Sequence, residues 1–458
     1  GPFSEIHRFN RFLESDKIDQ KTLLANGISL NNSINYLNLK PKTSFTNPVT
    51  TVDFENQVIN EIGLPCLYPD TPVEMVAITD IENLIDHWSH VVSGIIVQKE
   101  IGKGILNLNH KSYTSFVNES NLLVDLIGEY GVSKAEKNIR NVILNKLPKW
   151  AKPKIDSKGN IVLTFGQGNN HIGFIAHMDE TGYVVDSIEA DGKLLLKRRG
   201  GMLPWIWEAQ PALVHVNDSK INGVFEPRED YKVATKRNIE KPLKINAGFN
   251  SMDNAIAAGI EVGTTTVTMP KKMIRLNENK ATARGFDDRA GCAALLLSLK
   301  NLNPKSITQK VTFVWSVEEE VGLNGAVVAA VNLKDLNVVY PIDTYVSSDD
   351  PYLDESFADC PLGNGAVIRV LESINFISRA NLKNIQKLAK ENNIKVQYGM
   401  TAGGTDGQPF LGYGIPSVPL SWPGRYSHSP VEILDYRDVN NLVLLINAII
   451  KNPNNKSN

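Results

Sequence analysis

The stretch His171-Ile172-Gly173-Phe174-Ile175-Ala176-His177-Met178-Asp179 decides how the chain is read. Six residues of mainly apolar run fit a buried strand, and the strand ends abruptly on His-x-Asp. In open α/β sheets the carboxyl ends of strands are where sites are built. A neutral imidazole is a good metal ligand. Asp179, two residues on, projects to the same side and can hold the other ring nitrogen, which fixes the tautomer. Taken alone such a pair is more often structural, so the surrounding sequence must carry the case.

Just upstream, Ile161–Phe165 is a second apolar run, split from the first by the turn-forming Gly166-Gln167-Gly168-Asn169-Asn170. Residues Ser120–Tyr130 and Ser133–Leu147 read as helices, the second opening with Ser133 and Glu136 in capping-box spacing. Further along, Arg289–Leu302 reads as a helix. Lys310–Val317, Val338–Ile342 and Ala366–Val370 read as strands. Ala380–Asn392 is a helix, Val418–Leu420 part of a short strand, and Tyr436–Lys451 a final helix. Strands alternating with helices predict an α/β fold with a mainly parallel sheet sandwiched by helices.

The stretch between reads differently. Lys193–Arg198, Ala212–Val216, Ile221–Phe225 and Thr265–Thr268 are short strands, with Ser251–Ile260 the one helix of any length. The expected division is therefore a catalytic domain of residues 116–186 and 283–458, a small β-rich domain of 187–282 inserted in it, and an N-terminal accessory region, 1–115. That region mixes polar loops with a helix around Ile81–Val92. His87 and His90 could share a metal there, but surface histidines on an amphipathic helix are the expectation.

Four more acidic or imidazole clusters follow expected strands or open a helix. Asp287-Asp288 precedes a helix. One Asp suffices for capping, which leaves the other for a metal. Glu318-Glu319-Glu320 follows the apolar run Val311–Val317, and adjacent carboxylates are costly unless solvated or neutralised by a cation. Two of them can divide labour as ligand and base. Asp343 ends Val338–Ile342, with Asp349 and Asp350 as substitutes. His428 lies in Pro423–Pro430.

In bulk, 458 residues exceed one hydrophobic core, so two or three domains are expected. The composition, 42% hydrophobic and 21% charged, is that of a globular protein. A net charge of -2 gives no electrostatic case for nucleic acid or an anionic membrane. No apolar run is long enough to span a bilayer. Three scattered cysteines, Cys66, Cys292 and Cys360, make neither a disulfide framework nor a CxxC site. The chain opens Gly1-Pro2 rather than Met, and the expectation is a soluble protein, cytoplasmic or exported with a leader removed.

Taken together, Ala176–Val185 (AHMDETGYVV), Gly285–Gly291 (GFDDRAG), Glu319–Ala326 (EEVGLNGA), Gly403–Phe410 (GGTDGQPF) and Arg425–Glu432 (RYSHSPVE) resemble the tetrahedral aminopeptidase and glutamyl aminopeptidase family of dinuclear zinc peptidases. The resemblance covers about Ser120 to Lys451. It implies an aminopeptidase with two divalent metal ions per chain, zinc or, in its place, cobalt or manganese. His177 and Asp343 would bind one ion, Glu320 and His428 the other, and Asp287 both. Glu319 would be the general base and acid, and Asp179 would orient His177. It further implies a peptide substrate with a free N-terminus, and a homo-oligomer, because the family typically forms hollow dodecamers. The alternatives are a related dinuclear zinc carboxypeptidase or deacylase, or an inactive binding protein on the same fold. The long gap between His177 and Asp287 favours the aminopeptidase.

Overall fold

The computed structural model describes residues 113–228, 242–349 and 358–452, together with four short strands nearer the N-terminus. Those strands form two separate antiparallel pairs, Thr51–Phe54 with Gln57–Asn60 and Cys66–Leu67 with Met75–Val76. His87, His90 and Asp350 lie outside the described residues. The chain divides into two units, one of residues 1–112 with Ala209–Pro211 and one of the remainder. His177, Asp287, Glu319, Glu320, Asp343 and His428 all belong to the second unit.

A twelve-stranded sheet is its frame. Five elements carry the site: β1 (His171–His177), α1 (Phe286–Leu299), β2 (Lys310–Ser316), β3 (Val338–Val346) and β4 (Leu420–Arg425). The order β4-β3-β1-β2 is parallel throughout. The flanks are mostly antiparallel, although Ala366–Glu372 and Val396–Thr401 run parallel to each other. Ile161–Phe165 runs against β2, Glu432–Asp435 against β4, and Lys280–Ala283 against Glu432–Asp435. The sheet is therefore mixed, not mainly parallel as the alternation of elements suggested. Parallel neighbours need long crossovers, which the helices supply at the centre. Of these antiparallel pairs only β4 and Glu432–Asp435 follow one another through a short loop, which reverses the chain. Ile161–Phe165 with β2, and Lys280–Ala283 with Glu432–Asp435, are brought together from distant parts of the chain.

Alternation along the central strands separates two cores. Ile172, Phe174 and Ala176 of β1, Phe313 and Trp315 of β2, and Tyr340 and Ile342 of β3 pack with α1 and the helices Val117–Gly128 and Tyr436–Lys451. Ile175, Val314 and Val339 point to the other face, against Ala326, Ala329 and Ala330 of the helix Asn324–Asn332. Because α1 is buried on almost every side, its residues are small or apolar from Ala290 onward. Each fully buried Leu or Phe contributes about 1.5–3 kcal/mol.

The turn between Ile161–Phe165 and β1 spans the slot that β2 fills. Gly166 (φ 75°) and Gly168 (φ 149°) pass so close beneath β2 that a Cβ would stand 2.3 Å from the Gln309 carbonyl and 2.4 Å from that of Thr308. Only glycine fits both the space and the dihedrals.

Between Gly182 and Thr268 six strands close into a barrel. Its order is Pro211–Val216, Ser219–Phe225, Lys244–Asn246, Leu194–Arg199, Gly182–Ile188, Thr266–Thr268. Tyr183, Trp207 and Phe225 form its aromatic centre, with ring centroids 5.2–5.7 Å apart.

The capping box expected at Ser133 and Glu136 is not formed. The helix starts at Lys137 with no side-chain cap. Ser133 instead donates its hydroxyl to Asp179 (2.6 Å), and Glu136 accepts from the Lys134 and Glu318 amides. Buried partners elsewhere outbid a local cap.

Candidate metal centre

The parallel register delivers the site residues to one level. Ser316 pairs with His177, and Ile342 with Ala176, so Asp343 comes level with His177 one strand away. Asp343 lies within β3 rather than beyond its end, because Thr344 and Tyr345 continue the ladder to Trp422 and Pro423 of β4. Asp287 enters from the first turn of α1, Glu319 and Glu320 from the loop after β2, and His428 from the loop after β4.

Asp287 stands in the middle. One carboxylate oxygen is 3.2 Å from His177 Nε2 and the other 3.5 Å from His428 Nε2. On the His177 side, Asp343 Oδ1 lies 3.8 Å and Glu319 Oε2 4.0 Å from the same Nε2. On the His428 side, Glu320 Oε1 is 3.3 Å from Nε2. Two atoms bound to one tetrahedral ion, each ~2.0–2.2 Å from it, stand about 3.3–3.6 Å apart. The spacing of these donors, and the imidazole-carboxylate set itself, fit divalent metal. Single atoms of His177, Asp287 and Glu320 also fall within 4.8 Å of one another.

The remaining contacts aim these groups. His177 Nδ1 is 3.2 Å from the Asp179 carbonyl and 3.4 Å from its carboxylate. Besides the Ser133 hydroxyl, that carboxylate accepts the amides of Glu319 (3.0 Å) and Glu320 (3.3 Å). One buried carboxylate thus braces three site residues. His428 Nδ1 is 2.6 Å from the carbonyl of Gly201, on a loop of the barrel. The other acids named as substitutes are engaged elsewhere. Asp288 accepts from Trp422 (2.9 Å) and caps α1 at Gly291, Asp349 pairs with Arg425, and Glu318 pairs with Lys158 (2.7 Å).

Burial drives the electrostatics. Desolvation holds the Glu319 carboxyl well above its ordinary range, and Asp343, Glu320 and Asp406 add to the effect. Desolvation also raises Glu320, against the pull of His428. For His177 burial disfavours the charged ring, but Asp179, Asp287 and Asp343 outweigh it and raise its pKa. Burial likewise works against charge on Asp287, and the two histidines overcome it and lower its pKa. Carboxylates outnumber cations here, a surplus of negative charge that a divalent ion would offset.

Three buried residues beside the site were missed. Glu432 accepts amide hydrogens from Asp287 (3.2 Å) and His428 (3.0 Å). Arg369 reaches Asp343 Oδ2 at 3.8 Å and donates to Ser421 (2.7 Å). Asp406 accepts from Ser316. Arg369 and Glu432 stand beside apolar residues in their strands, Val367-Ile368-Arg369-Val370 and Glu432-Ile433-Leu434, and a charge in such a run is rarely buried unless it is paired.

Histidines and carboxylates meeting at the ends of parallel strands, at metal-ligand spacing, define a metal-dependent hydrolase. Residues 159–445 match the model of the M42 glutamyl aminopeptidase family, and the chain belongs to that family. It is 30% identical to FrvX of Escherichia coli K12, over 72% of this chain and 94% of that one. It is 29% identical to a lysyl aminopeptidase of Pyrococcus furiosus, over 72% and 96%. Among solved structures the TET1 peptidase of Pyrococcus horikoshii superposes with a TM-score of 0.66 at 30% identity, covering 72% of this chain and 99% of that one. The protein is an aminopeptidase of a metallopeptidase family that uses divalent metal. Among the described residues no helix is long and apolar enough to cross a membrane.

Proposed function

We propose that the enzyme releases single residues from the free N-terminus of peptides, with two divalent ions per chain, zinc in the first instance. His177 and Asp343 would hold one ion, Glu320 and His428 the other, and Asp287 would contribute to both. The observation that carries this reading is Asp287, whose two oxygens face two different histidines at 3.2 and 3.5 Å. Bound there, the ions would supply Lewis acidity toward the attacking water and the scissile carbonyl. Glu319, whose carboxyl is buried beside but not between the histidines, takes the proton of the attacking water and returns it to the leaving amine. Asp179 keeps His177 in the tautomer that offers Nε2.

The small second domain, expected over 187–282, is proposed to be the barrel of strands between Gly182 and Thr268, and residues 1–115 an accessory region. A site between a sheet end and a barrel loop is naturally a closed pocket, which suits an exopeptidase. Homo-oligomeric assembly is the expected state, supported by the TET1 peptidase, which can assemble into a tetrahedron or a large octahedral shell.

Metal analysis of protein purified without chelator, with a paired assay of free and N-acetylated peptides, tests the reading. Two ions per chain and a preference of about 5–150-fold for the free amine are expected, because acetylation leaves a buried polar partner unpaired at about 1–3 kcal/mol. Equal cleavage of acetylated peptides, or release of the C-terminal residue first, would shift the assignment to a carboxypeptidase or deacylase.

A further inference from the structure

We infer that Glu432 is a positioning residue for one half of the metal centre, the half made by Glu320 and His428. Its backbone is fixed by the ladder between Glu432–Asp435 and Lys280–Ala283, which sets Glu432 opposite Ala283. Both chains leave that ladder toward the site. From Ala283 the chain turns at Gly285 (φ 82°) and reaches Asp287, while His428 lies four residues before Glu432. The buried side chain of Glu432 spans the gap, one oxygen taking the Asp287 amide and the other the His428 amide. One carboxylate thereby fixes the separation of two proposed ligands that are 141 positions apart in sequence, counting from 287 to 428.

The need for such a tie is visible in the backbone. Both Tyr426 (φ 59°) and His428 (φ 62°) occupy the left-handed region, which is unfavourable for residues with side chains. Apart from Glu320 and Asp287, which face its Nε2, His428 is held by Glu432 on its amide and by the Gly201 carbonyl on its Nδ1. On the His177 side Asp287 alone touches Glu432, while His177 and Asp343 have their own supports in Asp179 and Arg369. Two N–H donors converge on Glu432, so two acceptors are required. A glutamine there offers one acceptor and sets a donor against the second amide.

The inference rests on the two-ion reading. It is tested by titrating metal-free wild type, Glu432→Gln and Glu432→Asp with zinc against a chelator of known affinity, with circular dichroism confirming that each folds. Wild type is expected to fill two sites. In both variants one site is expected to weaken by about 10–100-fold while the other keeps its affinity, as is typical when a partner of a ligand is removed. The aspartate keeps the charge but is one methylene too short to reach both amides. Two wild-type sites with unchanged affinities in both folded variants, or an equal loss at both sites, would overturn the role of Glu432. A single site in wild type would overturn the two-ion reading itself. Should Glu432→Gln fail to fold, Glu432→Asp alone decides between these outcomes.

Discussion

The barrel and the sheet bury cores of the same kind, aromatic rings among branched aliphatics, but they differ in what they leave open. The barrel closes on itself, so its strands end in one another's ladders and its centre holds Tyr183, Trp207 and Phe225. To the metal centre it gives one carbonyl, that of Gly201. The open sheet ends its parallel strands together, and from those ends come His177, Glu319, Glu320, Asp343 and His428. Closure gives rigidity without chemistry, while the open edge supplies the chemistry and needs bracing from outside. A change in the sheet's site should therefore cost turnover, and a change in the barrel should cost stability.

The largest expected effect falls on the sheet. Glu319→Gln should lower kcat by about 10²–10⁴-fold, the usual contribution of a general acid–base group. Metal content and melting temperature should stay near wild type, and loss of metal in this variant would make Glu319 a ligand. The mirror experiment is Trp207→Ala, which opens a cavity in the barrel and should cost about 3–5 kcal/mol in denaturant unfolding. Purified below its unfolding transition, the variant should still take up metal. Coordinated loss of both would break the division of labour.

Acid provides a subtler separation. Burial, aided by Lys220, Arg284 and Lys271 and opposed by Glu180, pushes His215 of the barrel down to about 4. A histidine with a depressed folded pKa stays neutral in the native state while the unfolded chain takes up a proton. Its contribution to stability is full above about pH 6.5 and is lost as pH falls toward 4, by about 2–3 kcal/mol. Unfolding free energies measured across that window should slope less in His215→Gln than in wild type, and parallel slopes would remove His215 as the cause. The smallest effect is expected at the seam. Gly200 has φ 100°, and a Cβ there would meet Thr181 at 2.6 Å and Glu320 at 3.3 Å. Gly200→Ala should cost on the order of 1 kcal/mol of stability and, through the Gly201 carbonyl, weaken metal binding on the His428 side. An unchanged metal titration would show that the barrel loop is a bystander.

Elements with a strong local signature were legible in the sequence. Ile161–Phe165 and Tyr436–Lys451 begin and end where hydrophobic pattern and flanking turns put them. The five residues singled out as ligands lie close together: His177 and Glu320 mark or follow the end of an apolar run, whereas Asp287 opens a helix, Asp343 sits inside its strand and His428 lies in a polar loop. What could not be read is who pairs with whom. A run such as Lys280–Ala283 carries no trace of its antiparallel neighbour Glu432–Asp435, so the mixed flanks escaped notice. Lys244–Asn246 is three residues long, and its place in the barrel exists only through its partners on either side. Ser133 satisfied a local rule but was claimed by Asp179, 46 residues distant. Glu432 was quoted within a motif, yet its task is set by two amides that adjoin it only in the folded chain.

The slot between Ile161–Phe165 and β1 bears on how the molecule is assembled in time. Two strands joined by a five-residue turn would ordinarily zip together at once, but here they must stay apart until β2, some 140 residues later, slides between them. As the polypeptide is made, both flanks of that gap present unpaired edges while the whole barrel is still being synthesised, a recognised route to aggregation. Contacts so distant in sequence make folding slow. The glycines at 166 and 168 hold the doorway wide enough for the late strand. His177 lies on one side of that doorway, so the candidate metal centre cannot begin to form before the late strand is in place.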